Sequence, residues 1–336
     1  MNIAIVGATG NVGRKLLEVI EKLNLKFSEL YLIASDKSIG KKITFKNKTY
    51  NIVGLSDFDF SKVKIAFFTA GSSIAEKWAH IAAEKTIVID NSKFFRKDPD
   101  IPLVVPEVNS KELVKVKNKN IIANANCSVI PVVVALKPLH DLYNIKRIVA
   151  STYQSVSGAG KAPMDELLSQ TQDHFENKKL ESKYFTKQIA FNAIPHIDSF
   201  LENGYTKEEQ KTSDEVKKIL DKKIKITSTC VRIPVLVSHS ISANVEFNKK
   251  YNLEEAKNVL STSPGCKVFD EQKDGGYITP VEAENKYETF ISRIRNDDSQ
   301  SNTINLWIVS DNLLKGAALN AVEIAESLIK KNLHER

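Results

Sequence analysis

The chain has 336 residues, with 48 lysines and arginines against 41 aspartates and glutamates, for a formal net charge of +7. That length exceeds one small core and points to two domains. The lysines are scattered over residues 37–48, 111–119, 178–187 and 217–225, mostly among acidic or amide residues and without the aromatic interleaving expected of a single-strand binding platform, and the three cysteines form no C-x-x-C pair, which argues against a dedicated nucleic-acid face, a disulfide framework and a zinc ribbon.

Met1 leads directly into a strand at residues 2–6, without the charged region, apolar core and cleavage site of a secretory signal. No apolar run approaches the ~18 residues of a membrane span, so the chain reads as soluble, cytoplasmic and free of membrane or metal. Further strands are expected at residues 30–35, 63–68, 86–90 and 121–124. Between the first two, Val12, Leu16, Leu17, Val19, Ile20 and Leu23 form an apolar helix stripe, completing a βαβ unit. Short β-branched runs alternating with helix-period runs predict an α/β domain with a Rossmann-like parallel sheet.

Between the first strand and helix stands Gly7-Ala8-Thr9-Gly10-Asn11-Val12-Gly13. Glycines there permit a tight turn and close backbone approach, and the helix N-terminus offers free N–H groups to a pyrophosphate. The spacing is G-x-x-G-x-x-G rather than the stricter G-x-G-x-x-G, so its context carries the reading. At the end of the second strand, Asp36 favours the ribose 2′-hydroxyl of NAD, whereas Lys37 with Ser38 favours the 2′-phosphate of NADP. These residues alone leave that choice open.

Cys127 follows the strand at residues 121–124 and opens an apolar helical run containing Pro131, which suits a first turn. Helix N-terminal amides stabilise a thiolate, the reactive form of cysteine. A lone intracellular cysteine is also commonly a buried small hydrophobe, so partners must decide. Arg232 and His239 lie within one strand–turn region, and a histidine beside a candidate thiol forms the pair used in covalent catalysis. Beyond Cys127 the pattern becomes longer strands at residues 148–154, 226–234, 239–247, 268–269, 290–295 and 303–309. Helices are expected at 162–176 and 206–220, giving an α+β domain with a mixed or antiparallel sheet. A last helix at 312–330 is expected to return to the first domain.

The glycine loop, Asn124-Ala125-Asn126-Cys127-Ser128, Tyr153-Gln154-Ser155-Val156-Ser157-Gly158-Ala159-Gly160, Arg232-Ile233-Pro234-Val235 with His239-Ser240, and Ser310-Asp311-Asn312-Leu313-Leu314-Lys315-Gly316-Ala317-Ala318 occur in that order. Together they resemble the bacterial-type aspartate-semialdehyde dehydrogenase family from the first strand to the last helix. The resemblance implies NADPH-dependent, phosphate-releasing reduction of L-aspartyl 4-phosphate to L-aspartate 4-semialdehyde, serving lysine, threonine, methionine and isoleucine biosynthesis. It implies Cys127 as nucleophile, Gln154 as the orienting group, Arg232 on the substrate α-carboxylate, His239 as acid–base group and Glu208 on the substrate amine. Arg96, Lys211 and Asn126 would bind phosphate. Gly7, Thr9, Gly10, Asn11, Val12, Lys37, Ser38, Ser157, Gly158 and Asn312 would meet NADP.

The implied organisation is residues 1–126 with 312–336 for NADP and 127–311 for catalysis and dimerisation, in a homodimer or a dimer of dimers. Three departures from the family pattern stand out: Lys37 for arginine, and Ser72 and Ser238 for glycine. Serine suits the last two only where the backbone avoids the glycine-favouring region. The cysteine motifs of N-acetyl-glutamyl-phosphate reductase and glyceraldehyde-3-phosphate dehydrogenase differ from Asn124–Ser128. A catalytically silent dinucleotide-binding sensor, with Cys127 buried and inert, is the competing reading from another class.

Overall fold

The computed structural model describes residues 1–334 and resolves into two compact units, residues 1–125 with the segment from Ala317 onward, and Asn126–Gly316.

The first unit is built on β1 (Ile3–Val6), β2 (Leu30–Ala34), β3 (Lys42–Phe45), β4 (Lys48–Gly54), β5 (Ile65–Phe68), β6 (Ile87–Asp90), β7 (Leu103–Val104) and β8 (Ile121–Asn124). They form one sheet in the order β3-β4-β2-β1-β5-β6-β8-β7, in which only β3 and β4 pair antiparallel. β1, β5, β6 and β8 are buried at every residue, as strands covered on both faces must be. α1 (Asn11–Lys22) turns Leu16, Leu17, Val19 and Ile20 inward and packs on the C-terminal helix Asn320–Lys330. α2 (Ser72–Ala83) packs on β5 and β6 through alanines, while α3 (Pro106–Asn109) and α4 (Val116–Lys119) are single turns.

The β3–β4 hairpin was not expected. Its two-residue loop, Lys46-Asn47, places both residues at positive φ, 47° and 60°, which matches the twist of a tight hairpin. Ser72 lies within α2 without positive φ; the preceding Gly71, at φ 89°, takes that conformation instead.

The second unit contains α5 (Val129–Tyr143), β9 (Ile145–Gln154), α6 (Lys161–Phe175), α7 (Lys207–Ile219), β10 (Lys225–Arg232), β11 (His239–Phe247), α8 (Leu253–Thr262), β12 (Cys266–Val268), α9 (Pro280–Ala283), β13 (Thr289–Asn296) and β14 (Thr303–Ser310). Its mixed sheet runs β10-β9-β11-β14-β13-β12, parallel at β10–β9 and β12–β13 and antiparallel elsewhere. β9 and β11 alternate buried and partly exposed residues, so one face is packed and the other left open. The nearly all-apolar α5 lies in this unit's core against α7, α8, β11, β13 and β14.

The helix expected from residue 312 begins otherwise. Residues 314–319 form a π-helical turn, and regular α-helix starts at Asn320. At this entry the Asp311 carboxylate accepts from the Leu313 and Leu314 amides at 2.8 and 2.9 Å, and the Gly316 amide donates to the Asp311 carbonyl five residues back at 3.0 Å. Among the described residues, no helix is long and apolar enough to cross a membrane.

Candidate active site

Cys127 stands just before α5 and is partly exposed, with Sγ 3.3 Å from His239 Nε2. The preceding turn is firmly tied. Glu215 accepts the Asn126 backbone N–H at 2.6 Å, while Asn126 Oδ1 accepts from the Ser128 amide at 2.8 Å and hydroxyl at 2.7 Å. On the other side, a Cβ at Gly316 would lie 2.8 Å from Cys127 Cβ and 3.1 Å from its Cα. Only glycine lets the π-helical turn approach the nucleophile this closely.

The sheet presents Gln154 and Arg232 side by side, because they end the parallel strands β9 and β10 and are register partners. Both are buried. Arg232 Nη1 donates to the Ser155 carbonyl at 2.6 Å, and Gln154 Nε2 approaches Thr152 Oγ1 at 3.2 Å and Glu208 Oε1 at 3.5 Å. Burial lowers the Arg232 pKa, opposed by Glu208; guanidinium still stays charged, since its intrinsic pKa exceeds 12. A Cβ on Gly158 would come within 3.4 Å of both Arg232 Nη1 and His239 Nε2, so that glycine keeps space open over the pair.

α7 contributes the third wall. Thr206 and Glu209 form a reciprocal capping box at its start, a T-x-x-E signal visible in the sequence. Glu208, Lys211 and Glu215 then share one face at helical spacing. Glu208 Oε1 accepts from Asn126 Nδ2 at 3.0 Å, and its Oε2 pairs with Lys211 Nζ at 2.6 Å. Burial alone would depress the Lys211 ammonium, but Glu208 and Asp198, the latter 3.0 Å away, outweigh it and raise its pKa. The expected phosphate ligands Lys211 and Asn126 are therefore engaged by carboxylates.

His239 is wholly buried. Burial first, then the Arg232 charge, pushes its pKa down to about 3, so the ring is neutral at ordinary pH. Its Nδ1 accepts the Ser155 backbone N–H at 3.1 Å and lies 3.1 Å from Ser155 Oγ. Asn312 is buried behind this network: Oδ1 accepts from the Ser238 amide at 2.8 Å, Ser155 Oγ at 3.1 Å and Ser157 Oγ at 3.2 Å, and Nδ2 donates to Ser157 Oγ at 2.9 Å. Ser238 departs from expectation, since it holds φ 76° despite its side chain, and its buried hydroxyl has no hydrogen-bond partner. Burial also raises the Cys230 thiol to about 12, setting it apart from the accessible Cys127.

Cys127, Asn126, Gln154, Ser157, Gly158, Glu208, Lys211, Arg232, His239 and Asn312 thus all belong to the second unit. Ser155, Glu215, Asp198 and Gly316 were not singled out by the sequence reading. The spacing of Glu215 from Glu208 marks a shared helix face, but nothing local marks Ser155 or Gly316 as neighbours of His239 and Cys127.

Gly7, Thr9, Gly10, Asn11, Val12, Lys37, Ser38 and Arg96 belong to the first unit. Gly7 has φ 91°, and a Cβ there would lie 2.8 Å from Thr69 Oγ1; a Cβ at Gly13 would collide with the Gly7 carbonyl oxygen. Gly10 caps α1 without a side-chain hydrogen bond, leaving a narrow glycine cradle at the positive end of a helix. This fits a dinucleotide pyrophosphate. Asp36, Lys37 and Ser38 form a 3₁₀ turn with Asp36 and Lys37 exposed and Ser38 buried. Arg96 donates to the Asn124 and Asn91 carbonyls at 2.9 and 3.0 Å.

The family model described as "Semialdehyde dehydrogenase, NAD binding domain" matches residues 2–116, and "Semialdehyde dehydrogenase, dimerisation domain" matches 136–315. Aspartate-semialdehyde dehydrogenase of Rickettsia bellii is 49% identical over 333 residues, covering 99% of this chain and 98% of that protein. Its counterpart in Aquifex aeolicus is 49% identical over 335 residues, covering 98% of each. The crystal structure of aspartate semialdehyde dehydrogenase II from Vibrio cholerae complexed with ASA superposes with a TM-score of 0.96 at 47% identity, covering 98% of both chains. With its glycine cradle, its paired Cys127 and His239 and near full-length similarity, the chain belongs to the aspartate-semialdehyde dehydrogenase family.

Proposed function

We propose that this chain catalyses the reversible, phosphate-releasing reduction of L-aspartyl 4-phosphate to L-aspartate 4-semialdehyde with NADP as cofactor. The 3.3 Å approach of Cys127 Sγ to His239 Nε2, beside buried Arg232 and Gln154, carries this reading. Cys127 thiolate attacks the acyl carbon, forming a thioester as the carbon–oxygen bond to phosphate breaks. Arg232 supplies a rigid fork for the substrate α-carboxylate, Glu208 meets the amine and Gln154 orients the acyl group. His239 serves the proton chemistry at Cys127 and the acyl oxygen.

Lys211 and Asn126 are assigned to phosphate, which would compete with the carboxylates now engaging them. Arg96 retains its phosphate role from the family pattern alone. Gly7, Thr9, Gly10, Asn11 and Val12 would cradle the cofactor pyrophosphate, with Lys37 and Ser38 for the 2′-phosphate; Ser157, Gly158 and Asn312 are assigned to the cofactor from the family pattern. When bound, NADP supplies the two-electron exchange as hydride. The half-open sheet face supports a homodimer, and three cysteines that form no disulfide among the described residues support residence in the reducing cytoplasm.

The test mixes the protein with L-aspartate 4-semialdehyde, phosphate and either NADP or NAD, following nicotinamide absorbance. Phosphate-dependent reduction of NADP is expected, abolished in Cys127→Ser. Folded wild-type protein that is inactive with both cofactors would overturn the reading.

A further inference from the structure

Asp198 reaches the site from outside α7, on a turn that the helix itself fixes. Between residues 198 and 207 the chain folds back on itself: the Lys207 amide donates to the Ser199 carbonyl at 2.8 Å, the Leu201 amide donates to the Tyr205 carbonyl at 2.7 Å, and Phe200 and Thr206 form an antiparallel bridge. Thr206 caps α7, so this turn sets Asp198 against the first coil of the helix. The Asp198 backbone is left-handed, at φ 68°, a conformation that aspartate and asparagine tolerate better than most residues. One carboxylate oxygen, Oδ1, accepts the Ser199 amide at 2.9 Å, and the other, Oδ2, accepts from Lys211 Nζ at 3.0 Å.

Two carboxylates therefore flank one ammonium, with Glu208 Oε2 at 2.6 Å and Asp198 Oδ2 at 3.0 Å. Against burial, they hold Lys211 protonated. Their settings differ. Glu208 belongs to α7, its side chain is 7% exposed, and its second oxygen accepts from Asn126 Nδ2 at 3.0 Å. Asp198 stands on a turn with its side chain 24% exposed, so the ion pair on its side is the one an anion from solvent displaces more easily.

We propose, building on the function above, that Asp198 is a positioning residue for phosphate: its carboxylate holds Lys211 when no phosphate is bound, yields that bond to an incoming phosphate oxygen, and recovers it as phosphate leaves. Two carboxylates around one ammonium carry net negative charge, which opposes a phosphate anion. Release of the Asp198 ion pair leaves Lys211 balanced by Glu208 alone and turns one donor N–H towards the newcomer. Phosphate then gains only the difference between two charge-assisted hydrogen bonds. Its affinity stays low, which suits an enzyme that must release phosphate in one direction and take it up in the other.

The test uses the full-length protein with Asp198→Asn and Asp198→Gly, both of which remove the charge and suit positive φ. In the direction of semialdehyde oxidation, KM for inorganic phosphate should fall by ~10-fold in both variants, the scale of one competing hydrogen bond to a charged group, while KM for the semialdehyde stays near the wild-type value. A residue that merely supported the fold would raise KM for phosphate or lower kcat without changing it. Unchanged or raised KM for phosphate in the two variants would overturn the proposal. Inorganic phosphate is also titrated calorimetrically into each protein without substrate or cofactor, where Kd should fall by the same factor. Equal Kd values, or no phosphate binding in any of the three proteins, would overturn it too. The titration needs no turnover, so tighter phosphate binding in the variants of a protein inactive with both nicotinamide cofactors would remove the assigned reaction and leave the exchange at Lys211 standing.

Discussion

Ser238 sits beside the functional histidine at φ 76°, with a buried hydroxyl lacking a hydrogen-bond partner. Left-handed backbone costs a side-chain-bearing residue about 1–2 kcal/mol, and an unsatisfied buried hydroxyl adds to that, while glycine loses more entropy on folding. Ser238→Gly should therefore stabilise the chain by about 1 kcal/mol, read as a raised midpoint in urea at unchanged slope. A lower midpoint would show that the serine is better accommodated than its backbone implies. His239 makes a second prediction. Its pKa falls from 6.5 to about 3 on folding, so only the unfolded chain gains its proton across that interval. Its contribution to stability is complete above about pH 6.5 and declines by about 1.4 kcal/mol per pH unit below it, down to about pH 3. Urea titrations at successive pH values should show a shallower acid loss in His239→Gln than in wild type; parallel curves would contradict the burial argument.

At the scale of elements, the π-helical turn at residues 314–319 packs closely on the nucleophile through Gly316. Gly316→Ala must shift either Cys127 or that turn, because the added carbon would stand 2.8 Å from Cys127 Cβ. The expected result is a kcat loss on the order of 10²-fold, typical of a misplacement near 1 Å, with slowed alkylation of Cys127 and near-unchanged KM. Normal kinetics would show that the contact relaxes freely. This turn was not legible in the sequence, because residues 312–330 carry a continuous helical pattern and the close approach of Gly316 to the distant Cys127 leaves no local mark in it. The strands β1, β2, β5, β6 and β8 were legible because burial on both faces requires unbroken apolar runs. The β3–β4 hairpin was not, since Lys41, Lys42, Lys46 and Lys48 look like a solvated charge run. Cys127, Gln154, Arg232 and His239 could be picked out by residue type and motif order. The Ser155 contact could not, because it uses backbone atoms that every residue possesses.

At the scale of the whole molecule, the first unit is discontinuous in sequence. Its C-terminal helix packs on α1, α3 and β6, and buried Asn320 donates to the Val104 carbonyl and Asn124 Oδ1 at 3.0 and 2.6 Å. Truncation after Gly316 should therefore weaken NADP binding and lower the first unit's protection from proteolysis, although the glycine cradle remains covalently intact. Unchanged cofactor affinity in the truncated chain would show that residues 1–125 are self-sufficient. The same discontinuity sets an order of events at the ribosome. Residues 126–316 must be made before the closing helix exists, a wait of roughly 10–40 s at ~5–20 residues per second. During that interval the parallel sheet lacks one of its covering helices, making the nascent N-terminal unit a natural client for chaperones until synthesis is nearly complete.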